Sequence, residues 1–327
     1  QALLARCRCC PGAPPPPRPL LCCMAKRARE DAPSSESDAA ASDSSSSRAA
    51  RPRKTIIFIR HGQSEYNLAI RETGEDPLIR DAGLTAKGRQ QAKEAKEVLS
   101  RLRAQLEAKL PSGEAHWLLA ASPLRRALDT ASEVWPEAFF GSGAAEEDRE
   151  AGSPASVRFE IFAGLRELIT GCDDLGSAPA DLLRSYPHLR RQLSALPQVW
   201  WTVPPQFAGL PPEGDAMREA FISCPDTWED ADEDVLDERR VLQRCLGVMS
   251  SLLGRPADLA RLTSLVEQLA EVPEELVVIV AHCNLIRCLT RKLGLTEQGE
   301  GWILKNCECR AAEGVELRTV AERAHCR

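Results

Sequence analysis

The chain has 327 residues, a formal net charge of −6 and 43% hydrophobic content, which suffices for one large core plus tails, since single cores extend to about 250 residues. The negative balance argues against nucleic acid as the main partner. No stretch reaches the roughly 18 uninterrupted apolar residues of a membrane-spanning helix, so a membrane is not an expected partner either.

Residues 1–53 have the composition of a disordered tail, with Pro14 to Pro17, Ser34, Ser35 and the run Ser44 to Ser47. The chain does not begin with Met, and Met24 precedes the basic Lys26, Arg27 and Arg29. Two readings stay open: a native start at Met24, or an acid-poor targeting segment over residues 1–23. The expected compartment is cytoplasmic; a transit segment would make it the plastid, and a basic signal the nucleus. Five of the thirteen cysteines fall in this tail, at 7, 9, 10, 22 and 23. The rest form no secreted disulfide framework and read as reduced thiols.

The first strand signal is the β-branched run from Thr55 to Ile59. It leads directly into Arg60, His61, Gly62, Gln63, Ser64, Glu65, Tyr66 and Asn67. Ligands in open α/β sheets bind beyond the carboxyl ends of such strands, so this cluster sits where chemistry is expected. His61 is a candidate nucleophile, because a neutral imidazole keeps one free ring nitrogen once the other is hydrogen-bonded. Arg60 offers a guanidinium fork that matches phosphate oxygens, and Gly62 lets backbone approach a ligand. Ser64 and Asn67 are candidate neutral donors to phosphate, with turn residues as their alternative reading. Thr85 is expected to cap a helix running to about Leu110, with Ala92, Ala95, Leu99, Leu102 and Leu106 on one face.

A strand over Trp117–Ala121 is followed by Ser122 and Pro123, read as the N-cap and first position of a helix that packs Leu124, Ala127, Leu128 and Ala131 on the sheet. Arg126, about one turn in, can reach back to the strand end. A strand over Val157–Phe162 leads to Leu165, Arg166 and Glu167. There Glu167 is a candidate proton donor if burial or its neighbours raise its pKa, and otherwise a solvated carboxylate.

The stretch from about 171 to 234 is rich in turn residues and reads as a loop segment that sets substrate choice. Its Trp200 and Trp201 either stack on substrate or cover the sheet edge. Helices are expected over 235–253 and 257–270. A strand from Leu276 to Ala281 ends in His282, and the closing residues 306–310 and 315–320 read as a hairpin. Cys307 and Cys309 would then share one strand face. A metal site with His325 and Cys326 is conceivable there, but the spacing matches no zinc pattern.

Together these residues resemble the histidine phosphatase superfamily, the phosphoglycerate mutase-like proteins, over roughly residues 54–320. The family's marks are the Arg60, His61, Gly62 strand end, Ser122, Leu124, Arg126, Ala127 and Thr130, then Leu165 with Glu167, and the late His282. Asp81 to Gly88 looks like the entry to the family's first long helix, and Asn306 with Glu308 like a late strand. The resemblance implies a three-layer α/β/α sandwich with a mixed, mostly parallel sheet, and one domain over residues 54–327. It implies catalytic His61, Glu167 and His282, and phosphate binding by Arg60, Gly62, Ser64, Asn67 and Arg126. His61 would attack phosphorus, Arg60, Arg126 and His282 would hold the transferring oxygens, and Glu167 would protonate the leaving group. No metal or other cofactor is implied.

Where Gly commonly follows the second His, this chain has Cys283, which adds a side chain at the site. The residues after Glu167, and Tyr66 to Ile70, also lack the mutase pattern. The expectation is therefore a phosphatase acting on a small-molecule phosphomonoester or a phosphoprotein. A mutase or sugar bisphosphatase, or a weakly active phosphoprotein-binding scaffold, is the alternative.

Overall fold

A computed structural model describes residues 53–74, 77–110, 115–141, 155–168, 171–201, 256–296 and 300–317, all within one unit of the chain, residues 50–327. The expected tail, the helix over 235–253 and most of the 171–234 segment beyond Trp201 lie outside the described residues. Five strands form one sheet: β1 (Arg53–Arg60), β2 (Ala115–Ala121), β3 (Ala155–Ile161), β4 (Leu276–Ala281) and β5 (Cys309–Glu316). Their order is β3-β2-β4-β1-β5, parallel except for β5, which runs antiparallel to β1.

The central position of β4 follows from its sequence. Leu276, Val277, Val278, Ile279, Val280 and Ala281 are all buried, the continuous apolar run that a strand covered on both faces requires. Alternation then divides the sheet between two cores. On one face Ile57, Trp117, Leu119, Val278 and Val280 pack with Leu99, Leu128 and Leu182. On the other, Ile56, Phe58, Leu118, Val277 and Ile279 pack with Leu265, Leu285 and Leu289. These are the three layers that the sequence led us to expect.

Helix α1 spans Glu65–Thr73 and α2 spans Ala86–Glu107. The Thr85 side chain caps α2 by accepting from Gly88 N at 2.9 Å, and Ala92, Ala95, Leu99 and Leu106 form its buried face. Helix α3 (Arg125–Val134) is followed by the short α4 (Pro136–Gly141), α5 (Pro179–Ser185) and α6 (Arg190–Ser194). Helix α7 (Pro256–Glu271) and α8 (Cys283–Leu293) cover the other face.

Three sequence expectations need correction. Helix α3 starts at Arg125 with Leu124 as its N-cap, and the Ser122 hydroxyl accepts from Leu124 N at 3.3 Å just before it. The closing residues form the single strand β5 rather than a hairpin within the described residues. Cys307 precedes that strand in a left-handed turn (φ 57°), so Cys307 and Cys309 do not share a strand face. Trp200 and Trp201 are buried in the first core, where Trp200 donates its indole N–H to Ser177 O at 2.9 Å; of their two readings, the structural one holds.

Candidate active site

Sheet register decides what comes together. Arg60 pairs with Ala281 across β1 and β4, so His61 and His282 leave adjacent strands at the same level; their rings lie 5.1 Å apart. Ala121 pairs with Val280 and with Ile161, which sets Ser122 and the segment after β3 at the same carboxyl end. Four widely separated pieces of chain therefore meet where the strand order reverses.

His61 is 4% exposed, and its Nδ1 lies 2.7 Å from Gly62 O. A carbonyl can only accept, so Nδ1 carries the proton and Nε2 holds the free lone pair. Burial and the charges of Arg126 and Arg60 hold the His61 pKa well below the ordinary histidine value, so the ring is neutral near pH 7. Asn306 Nδ2 donates to His61 O at 2.9 Å, which anchors the backbone here.

His282 is fully buried. Arg126 Nε donates to its Nδ1 at 3.3 Å, and its Nε2 lies 2.8 Å from Ser122 Oγ. The tautomer with hydrogen on Nε2 satisfies both contacts. Burial, followed by the charges of Arg126, His61 and Arg60, lowers its pKa well below the ordinary value. Both ring nitrogens of His282 are thus engaged within the protein.

Arg126 also has partners within the protein. Its Nη1 donates to Asp173 O at 2.6 Å and lies 3.2 Å from Asp173 Oδ2, while Nη2 pairs with Asp174 Oδ1 at 2.6 Å. A guanidinium only 2% exposed needs carboxylate partners to offset its desolvation. Here they come from the turn Cys172–Asp174. Sequence reading missed both aspartates; the signal was present, since a buried arginine requires nearby carboxylates and Asp173 and Asp174 follow Glu167 closely.

Glu167 is 7% exposed. Its Oε1 accepts from Leu168 N and Leu285 N, each at 2.9 Å, and its Oε2 accepts from Asn284 N at 3.1 Å. The carboxyl therefore caps the first turn of α8, whose own N-cap, His282, makes no side-chain cap bond. Burial and the neighbouring Asp174 charge raise its pKa to about 7, against the opposing pull of the backbone N–H groups and Arg126.

The remaining candidates divide. Arg60 Nη1 donates to Leu304 O at 3.0 Å, and its buried Nε has no hydrogen-bond partner among the described residues. Ser64 is fully buried and caps α1: Ser64 Oγ accepts from Asn67 N at 3.1 Å, and Asn67 Oδ1 accepts from Ser64 N at 3.4 Å. Their turn reading describes this geometry. Gly62 is required by close packing, because a Cβ there would lie 2.5 Å from Gly88 O. Cys283 opens α8 half-buried, and burial pushes its thiol pKa up.

A separate cavity of about 480 Å³ is lined by Arg80, Asp81, Arg89, Arg125, Asp129 and Tyr186, among others, and by none of His61, Arg126, Glu167 or His282. Among the described residues, no group of three or more His, Cys, Asp and Glu is arranged to hold a metal ion, and no helix is long and apolar enough to cross a membrane.

Comparison by sequence finds no matching curated protein. Solved structures similar to this chain include a mycobacterial hydrolase, 21% identical over 79% of this chain and 88% of its own, with a TM-score of 0.32. Phosphoserine phosphatase from Entamoeba histolytica, in complex with 3-phosphoglyceric acid, is 18% identical over 79% and 89%, with a TM-score of 0.31. Mycobacterial glucosyl-3-phosphoglycerate phosphatase is 19% identical over 82% and 100%, with a TM-score of 0.30. Residues 56–138, which carry β1 with His61 and α3 with Arg126, match the model of the histidine phosphatase superfamily (branch 1) and are identified as a domain of that family.

Proposed function

We propose that this protein hydrolyses a phosphomonoester through a phosphohistidine at His61. One observation carries the reading: the Gly62 carbonyl holds the proton on Nδ1 of a buried, neutral His61, which leaves the Nε2 lone pair as a nucleophile. Nε2 attacks phosphorus, the bond to the leaving oxygen breaks, and Glu167 gives that oxygen its proton. The proton sits on Oε2, which accepts one hydrogen bond where Oε1 accepts two. Water then attacks the phosphohistidine, Glu167 takes up the proton released, and phosphate leaves with His61 restored.

Charge on the transferring group is stabilised by donors fixed in advance. Arg60, next to His61 in the chain, adds its positive charge to the site. Arg126 contributes mainly its field, since Asp173 and Asp174 occupy most of its fork. The substrate is a small-molecule phosphomonoester or a phosphoprotein, and no step requires a metal.

The test is phosphate release from a panel of phosphomonoesters in EDTA, by wild type and His61→Ala side by side. Turnover in wild type that is lost in the variant is expected, with an acid-labile phosphoenzyme trapped on rapid quenching. Equal turnover by both proteins, or strict dependence on added Mg²⁺, would overturn the proposal.

A further inference from the structure

Arg126 and its partner carboxylates come from separate pieces of chain. Arg126 is the second residue of α3, whereas Asp173 and Asp174 lie in the turn after Glu167. A third piece touches both. Asp81 is 3% exposed; its Oδ1 accepts from Arg125 N at 2.8 Å and its Oδ2 from Ser177 N at 3.1 Å. Arg125 is the first residue of α3, and the N-cap Leu124 makes no side-chain cap bond. A carboxylate from a distant loop therefore takes one of the N–H groups that a helix start leaves free.

The neighbouring residue completes a clamp. Arg80 donates from Nε and Nη2 to Gly176 O, the first at 3.0 Å. Gly176 O and Ser177 N belong to one peptide group, which is thus held at its oxygen by Arg80 and at its nitrogen by Asp81. Trp200 fixes the same segment: it donates to Ser177 O at 2.9 Å, and a Cβ at Gly176 would collide with its ring. A closed ring results. It runs from Asp81 to Arg125 and Arg126, across to Asp173 and Asp174, and through Leu175 and Gly176 to Ser177 and back. Asp81 itself lies in the left-handed region, with φ 45°, a conformation that a residue with a side chain keeps only where its surroundings impose it.

We propose that Asp81 is a positioning residue of this reaction, a role that rests on the phosphohistidine reading above: by tying the start of α3 to the Gly176–Ser177 peptide, it fixes where the Arg126 guanidinium stands beside His282. Asp81 lines the separate cavity that none of His61, Arg126, Glu167 and His282 lines, so its part is played through Arg126. Placement matters because a misplacement of about 1 Å can cost on the order of a hundredfold in rate.

The experiment takes the full chain as wild type, Asp81→Asn and Asp81→Gly, and measures kcat/KM for p-nitrophenyl phosphate, affinity for orthophosphate and the ¹⁵N shifts of the His282 ring. Asparagine offers one acceptor oxygen to two N–H groups. Glycine offers none but enters the left-handed region freely, so loss of the carboxylate is separated from loss of the backbone conformation. Both variants should lose about tenfold or more in kcat/KM and bind orthophosphate more weakly. The His282 Nδ1 shift should move, because Arg126 Nε no longer stands 3.3 Å from it. In an Arg126→Ala background, Asp81→Asn should change kcat/KM by less than about twofold; if that double variant does not fold, the His282 shift carries the test.

Full kcat/KM in Asp81→Gly, an unmoved His282 resonance in both variants, or an additive loss in the Arg126→Ala background would overturn the role of Asp81 while His61-dependent turnover left the proposed reaction standing. Wild type that turns over no phosphomonoester would instead overturn the reaction, and the orthophosphate and His282 measurements would still decide whether Asp81 places Arg126.

Discussion

Replacement of Glu167 by Gln offers a direct stability test of the buried carboxyl. Burial and the neighbouring Asp174 charge raise its pKa above the ordinary carboxylate value, toward neutrality. The sign follows from linkage: a carboxyl whose folded pKa lies above its unfolded value stabilises the fold fully at pH below about 4.5. That contribution is lost as pH rises through about 7. Gln cannot ionise, so it escapes the loss. Its amide also cannot accept from both Leu285 N and Asn284 N as the carboxyl does, and one N–H at the start of α8 is left unsatisfied at a cost of about 1–3 kcal/mol. Glu167→Gln should therefore be destabilising by about 1–3 kcal/mol at pH 5 and close to neutral or stabilising at pH 8. Urea unfolding of both proteins at pH 5, 6, 7 and 8 measures the difference, in which other titrating groups largely cancel. A stability gap between the two proteins that stays constant over this range would refute the protonated, buried Glu167.

Other perturbations address the scaffold around the site. Gly88→Ala should destabilise by at least about 1–3 kcal/mol in thermal or urea unfolding, because the added Cβ would fall 2.1 Å from the backbone oxygen of Gln63, which cannot swing aside as a side chain could. Ser64→Ala should cost about 1 kcal/mol through loss of the α1 cap, with phosphatase kcat/KM changed less than twofold; a large selective loss of activity would restore Ser64 as a phosphate ligand. Ser122→Ala should destabilise by about 1–3 kcal/mol, since it strips an acceptor from both His282 Nε2 and Leu124 N, and ¹⁵N chemical shifts of the His282 ring should report a changed tautomer.

Strand identity and sheet class were legible because short β-branched apolar runs such as Leu276–Ala281 suit a strand covered on both faces. The meeting of His61 with His282 was legible for the same reason: each follows a strand whose residues pair in register. Helix entries were less so. Ser122 followed by Pro123 carries every local signal of an N-cap, and its hydroxyl does accept from Leu124 N, but it also meets His282, 160 positions away in sequence, a partner no local rule could name.

The charged interior explains why the chemistry was legible in kind and not in detail. Motif spacing identified His61, Arg126, Glu167 and His282 as residues of one site, but it assigned every cation to the substrate. Burial adds a demand that spacing does not show: Arg126 at 2% exposure needs compensating charge, and the fold supplies Asp173 and Asp174. Once those aspartates are present, Glu167 lies beside a negative charge in a dry setting, and its proton becomes harder to remove. A sequence names the groups that can carry charge; only the packed arrangement decides which of them ionise.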